Sequence, residues 1–148
     1  MARMAGKVTR EFDAAAAVTL RDAADGAETA DVAEAGVALN TLTGAEWDNN
    51  EIPNGIIMVS VHVTAADYAD TDEVYDLYFE ADTTAGFASA VEVAALKAIP
   101  GTGFYEVPIS SKTIEKLEPG ATHLRVRLDG TGTSFSITYG AWMTYLAA

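Results

Sequence analysis

From Ser134 to Tyr145 the chain reads Ser–Phe–Ser–Ile–Thr–Tyr–Gly–Ala–Trp–Met–Thr–Tyr, and its polarity alternates. Phe135, Ile137, Tyr139, Ala141, Met143 and Tyr145 fall on one side; Ser134, Ser136, Thr138 and Thr144 fall on the other. Successive side chains of a strand point to opposite faces, so the pattern predicts a half-buried strand with room to bend at Gly140. The same rule separates Thr122, Leu124, Val126 and Leu128 from His123, Arg125 and Arg127, which places two arginines on an outward face. Asp129–Gly130–Thr131–Gly132 between these two segments tolerates positive φ, and the expected connection is a hairpin.

Further strands are expected upstream. Gly55 to Val63 is β-branched and mostly apolar on both faces, the composition of a strand sandwiched mid-domain. Val74 to Glu80 is one-sided, with Tyr75, Leu77 and Phe79 opposite Asp76 and Glu80. Ala90–Leu96 and Phe104–Ile109 follow, and Ala16–Leu20 and Gly36–Leu39 are weaker segments of the same kind. Helical signals are small. Ser111–Leu117 can make one or two turns, started by Ser110 or Ser111 and stopped by Glu118–Pro119–Gly120. Ala27–Ala35 has helix propensity, but Gly26 and Gly36 bracket it and its apolar side is mostly alanine, so it is expected as a loop with at most a helical turn. The resulting expectation is an all-β fold: a jelly-roll β-sandwich of about eight antiparallel strands with an extended N-terminal arm.

The 148 residues carry 22 acids against 9 bases and no cysteine. A chain of this length is expected to form one domain, 13–148, preceded by a basic arm, 1–12. The missing cysteine excludes disulfides, thiolate zinc sites, iron–sulfur clusters and a cysteine nucleophile. The net charge of −13 argues against nucleic acid and anionic lipid as partners, since phosphate contacts need clustered Lys and Arg. No apolar run approaches the ~20 residues a membrane-crossing helix requires, and no export signal is read at the start of the chain, so a soluble protein is expected. Charge is unevenly placed. Arg3, Lys7 and Arg10 stand in a first decade without acids, whereas no Lys or Arg occurs from Asp22 to Leu96.

Candidates for chemistry are sparse. Asp67, Asp70, Asp72 and Glu73 form an oxygen-rich loop of the type that can hold calcium, without the glycine and distal glutamate of an EF-hand loop; the expectation is a solvated loop, with no metal and no cofactor. Asp76, Glu80 and Glu92 could be paired for glycoside hydrolysis, but they stand on outward strand faces. His62 and His123 are too few for a three-histidine zinc centre, and His62 is read as a core or interface residue. No Gly-x-Ser-x-Gly elbow, phosphate loop or dinucleotide fingerprint is present, and no enzymatic activity is expected. Among the aromatics, Tyr139 and Tyr145 share a face that Trp142 does not, and Trp47 lies in the polar segment 44–50 as a possible anchor for a partner.

Several segments together resemble the capsid cement, or decoration, proteins of tailed bacteriophages, in particular the small jelly-roll family of short-tailed phages. They are Phe12–Val18; the strand–turn run Leu77–Ala90 with its Asp82–Thr83–Thr84–Ala85–Gly86–Phe87 turn; Gly103–Ile109; His123–Leu128; and the closing strand Phe135–Met143. The acidic stretch Asp22–Glu34 and the segment Gly44–Asn54 depart from the family pattern. The resemblance implies a non-enzymatic virion protein on the outer capsid surface, assembled in the host bacterial cytoplasm. It would bridge neighbouring major capsid subunits against genome pressure and self-associate as a homodimer or homotrimer. Arg3, Lys7, Arg10, Phe12 and Trp47 are the residues then expected to engage the coat. A carbohydrate-binding jelly-roll module on a phage or cell surface is the alternative, and a small glycoside-processing enzyme a third possibility.

Overall fold

The computed structural model describes residues 18–43 and 54–147. They form two antiparallel sheets packed face to face. The strands in chain order are β1 (Val18–Arg21), β2 (Val32–Ala33), β3 (Val37–Ala38), β4 (Gly55–Ala66), β5 (Val74–Asp82), β6 (Val91–Leu96), β7 (Gly103–Ser110), β8 (His123–Thr131) and β9 (Ile137–Ala147). Two short helices accompany them, α1 (Asn40–Thr43) and α2 (Ser111–Leu117), with a 3₁₀ turn at Ala23–Asp25.

One sheet runs β1-β9-β4-β7 and the other β2-β8-β5-β6, with β3 also paired to β8. β2 and β3 lie along the same neighbour, Val32 opposite Leu128 and Val37 opposite Leu124, so they act as one interrupted strand. Counted that way there are eight strands in two four-membered layers, and the order is that of a jelly roll. The chain crosses between layers at almost every connection; β5 and β6 are the consecutive long strands that pair side by side.

The sequence pattern and this wiring agree on faces and differ on neighbours. β9 buries Ile137, Tyr139, Ala141 and Met143 as its alternation predicts. β8 buries Leu124, Val126 and Leu128. The predicted β8–β9 hairpin does not form: β8 pairs with β5, and β9 pairs with β4 and β1. Their apolar sides meet across the sandwich instead, which satisfies the same period-2 pattern. Gly132 and Ser134 take positive φ in the crossing, and the Phe135 ring sits against Gly130, where a Cβ would lie 2.6 Å from the ring. The irregularities along β9 fall in its neighbours, in β4 between Val63 and Ala65 and in β1 between Thr19 and Arg21.

β4 is central in its sheet yet one-sided. Ile57, Val59, Val61 and Val63 are buried, whereas Ile56 is 41% exposed. The core closes these residues, with Val107 and Ile109 of β7, onto Tyr75, Leu77 and Phe79 of β5. At roughly 25 cal/mol per Å² of apolar surface, these facing side chains dominate the favourable side of folding. α2 seals one end through Ile114, and its start follows its sequence signal. The Ser110 hydroxyl oxygen accepts from the Lys112 N–H at 3.2 Å, and Glu118 is the C-terminal cap. Ala27–Ala35 is a loop without the helical turn, interrupted where Glu28 bridges to Ile137 and where Val32–Ala33 form β2. Tertiary pairing there overrides alanine's helix propensity.

Candidate functional site

The outward positions of the four-stranded sheet carry little charge. Along β4 they are Ile56, Met58, Ser60 and His62; along β7, Phe104, Glu106, Pro108 and Ser110; along β9, Trp142, Thr144, which is itself buried, and Leu146; and on β1, Thr19. Among these described residues Glu106 is the one carboxylate, and no Lys or Arg is present. Phe104 is 61% exposed although it stacks on the His62 imidazole, with ring centroids 4.0 Å apart and planes within 12°. Pro108 pairs with Met58 on β7, an edge strand, where a missing N–H is tolerated. Trp142 is half-buried and lies opposite Ser60 and Thr19. Tyr139, by contrast, is wholly buried on the inner side, as the split between the tyrosine and tryptophan faces predicts.

The outward face of the other sheet is laced with ion pairs. Glu80 receives Arg125 Nε and Nη2 on Oε1 at 2.9 and 2.8 Å, and Arg127 Nε on Oε2 at 2.9 Å. Arg127 also lies over the Tyr78 ring at 4.5 Å, and the Lys97 ammonium is 5.3 Å from that ring. Asp76 accepts the Ala98 N–H at 2.7 Å. Of the acids drawn as a possible hydrolytic pair, Glu80 is clamped between two guanidiniums and Asp76 caps a turn, while Glu92 lies directly across from Glu80. A general acid needs a free proton-carrying oxygen near a substrate; Glu80, with both oxygens engaged by guanidiniums, is not arranged for that.

The turn quoted for the family resemblance is a built unit. Asp82, itself buried, accepts the Thr83 N–H at 2.6 Å and the Ser89 N–H at 3.1 Å, and these bonds hold its carboxyl below the usual range. Phe87 closes the turn at positive φ, wedged against Gly36 with the Arg125 guanidinium 4.5 Å from its ring centroid.

A third centre escapes sequence reasoning. A bulge between Thr19 and Arg21 in β1 turns both Leu20 and Arg21 inward, and the Arg21 side chain is fully buried. Its Nη2 donates to Glu28 Oε1 and to the Gly26 carbonyl, both at 2.8 Å, while Nη1 donates to the Tyr139 carbonyl. The guanidinium also lies 4.5 Å from the Tyr139 ring centroid, and Glu34 Oε2 is 3.7 Å from Nε. Burial raises the Glu34 carboxyl above its ordinary range, partly offset by Arg21, and burial also pushes the Tyr139 phenol up. The one signal for this centre was that Arg21 is the last base before the acid-rich stretch that folds around it.

The acidic loop after β4 is anchored rather than loose. The Tyr75 hydroxyl accepts the Ser136 N–H at 3.0 Å and lies 2.6 Å from the Asp67 carbonyl, and the Tyr68 hydroxyl donates to the Ile99 carbonyl. Asp72 accepts from Thr133, the N–H at 3.1 Å and the hydroxyl at 2.9 Å, which lowers its carboxyl. His123 Nδ1 lies 2.8 Å from the Thr122 hydroxyl on the charged face, remote in register from His62. Arg3, Lys7, Arg10, Phe12 and Trp47 lie outside the described residues. Among the described residues no helix is long and apolar enough to cross a membrane.

No protein family model matches the chain, and no curated protein matches it either. Among solved structures, the chain is similar to the K3 cleaved adhesin domain of Lys-gingipain from Porphyromonas gingivalis, with 13% identity and a TM-score of 0.45. The superposition covers 86% of this chain and 70% of that one.

Proposed function

We propose that this chain is a structural virion protein that binds the outer surface of a tailed-phage capsid and cements neighbouring major capsid subunits, without enzymatic activity. The observation that carries the reading is the low-charge outward face of the four-stranded sheet on a body of net charge −13. Phe104 and Ile56 are exposed there, and a second protein can approach without meeting a wall of like charge. The segments behind the family resemblance also support it. Leu77–Ala90 forms β5 and the Asp82-pinned turn, and His123–Leu128 and Phe135–Met143 contribute β8 and β9, all parts of the rigid frame. A stiff sandwich suits a brace, and a symmetric lattice multiplies weak contacts through avidity.

The test is cosedimentation of the purified chain with expanded, genome-free shells of the parent phage, followed by electron microscopy of the decorated particles. Regular occupancy of lattice sites is expected, with a clear loss on Ile56→Glu and on deletion of the basic arm 1–12. Shells that stay bare with the full chain refute the proposal. Specific binding on a glycan array, carried by the exposed Phe104 ring, would instead favour the carbohydrate-binding alternative.

A further inference from the structure

We propose that Asp70, Asp72 and Glu73 form a binding site for a hard divalent cation, calcium in preference to magnesium. One carboxylate oxygen from each of the three comes within 4.8 Å of the other two. Proximity of exposed acids alone would mean little. Glu73, however, is 6% exposed, and its Oε1 is fully buried without a hydrogen-bond partner, while Oε2 receives the Asp70 N–H at 3.3 Å. A buried carboxylate oxygen left unpaired is costly and calls for either a proton or a cation.

The surroundings favour the cation. No Lys or Arg occurs between Asp22 and Leu96, and the facing segment Asp129–Phe135 has none. None of the ion pairs among the described residues reaches the loop. The acids are also held in place before any ion arrives. Thr133 pins the Asp72 side chain through its N–H and hydroxyl, and the Tyr75 hydroxyl ties Asp67 to the start of β9. Calcium accepts carboxylates of varied denticity together with carbonyls and water in flexible geometry, which suits ligands crowded into four consecutive residues. Magnesium demands a strict octahedron and dehydrates reluctantly. The inference is independent of the capsid reading.

The experiment is isothermal titration of the chelator-treated full chain with calcium chloride and, separately, with magnesium chloride, alongside thermal unfolding in each salt. Expected are saturable one-site calcium binding, at least about tenfold weaker magnesium binding, and a calcium-dependent rise in unfolding temperature. Asp70→Asn, at an exposed position, should weaken calcium binding about tenfold or more, and Glu73→Gln, which keeps shape but removes charge, should do the same. Asp25→Asn, an exposed acid in another loop, should leave binding unchanged. No saturable heat up to about 10 mM calcium, equal affinity for both ions, or retained binding in a folded Asp70→Asn or Glu73→Gln chain would overturn the proposal. So would an equal loss in Asp25→Asn, which would mean diffuse counterion attraction.

Discussion

The two outward faces of the sandwich are built from the same alternation and end up chemically opposite. On the five-stranded side, Glu80 is clasped by Arg125 and Arg127, Arg127 covers Tyr78, and Asp76 caps a turn. That face meets its own electrostatic demands within the chain. On the four-stranded side the outward positions hold Ile56, Met58, Phe104, Pro108, Trp142 and a single carboxylate, Glu106. Period 2 decides which residues leave the core, but the residue types at the outward positions decide whether the face is closed by its own partners or offered to another molecule.

The largest effect should come from moving the ion-pair question inward. Arg21→Met removes the buried cation beneath Glu28 and Glu34, and a loss of about 3 kcal/mol in urea unfolding is expected, because two part-buried carboxylates and the Tyr139 and Gly26 carbonyls lose their shared donor. On the charged face Glu80→Leu should cost less, about 2 kcal/mol, since Arg125 and Arg127 retain access to water. A cost equal to that of Arg21→Met would erase the distinction between depth and surface. Unfolding of the wild-type chain in 1 M salt should show part of the Glu80 loss and little of the Arg21 loss.

Acid and base titration act on the two regions with opposing signs. Asp82 and Asp72 are held low by the Ser89 and Thr133 N–H groups, so their stabilisation is fully present above the ordinary aspartate value of 3.8. It is lost as pH falls through their lowered folded values. Glu34 is raised by burial, so the folded chain keeps its proton longer than the unfolded chain, and stability declines as pH climbs from 4.5 towards the raised value. Glu34→Gln should remove that decline and leave the acid limb in place. The smallest effect belongs to the open face. Phe104→Ala should change unfolding free energy by no more than about 0.5 kcal/mol while reducing shell occupancy, and a large destabilisation would mean the ring serves the fold.

Much of the frame was legible from local pattern. The Ser110 cap and the Glu118–Pro119–Gly120 stop rest on interactions within a few residues, and the β9 alternation follows from the pleat of the strand whichever neighbours it pairs with. The β8–β9 hairpin was misread because alternation specifies a buried face and leaves the hydrogen-bonded neighbour open; Gly130 and Gly132 serve a crossing between layers as readily as a tight turn. β4 looked buried on both sides because Ile56 and Met58 are apolar, and composition does not distinguish a covered face from an outward one. Arg21 was hidden for a related reason. Its partners Glu28 and Glu34 lie in a stretch expected as a loop, and nothing local to that stretch marks the β1 bulge that draws the arginine inward. The orphan oxygen of Glu73 depends on how the loop lies against residues 131–136, a relation with no sequence signature.

The position of β9 between β1 and β4 bears on how the protein comes into being. Val18 must wait for Met143 to be synthesised before it has a hydrogen-bonding neighbour, and the central groove of that layer stays unfilled until β9 leaves the ribosome. Sequence-distant pairing of this kind folds slowly and leaves sheet edges uncovered in the meantime. The nascent chain is therefore most vulnerable to sticking to its siblings just before translation of this strand finishes.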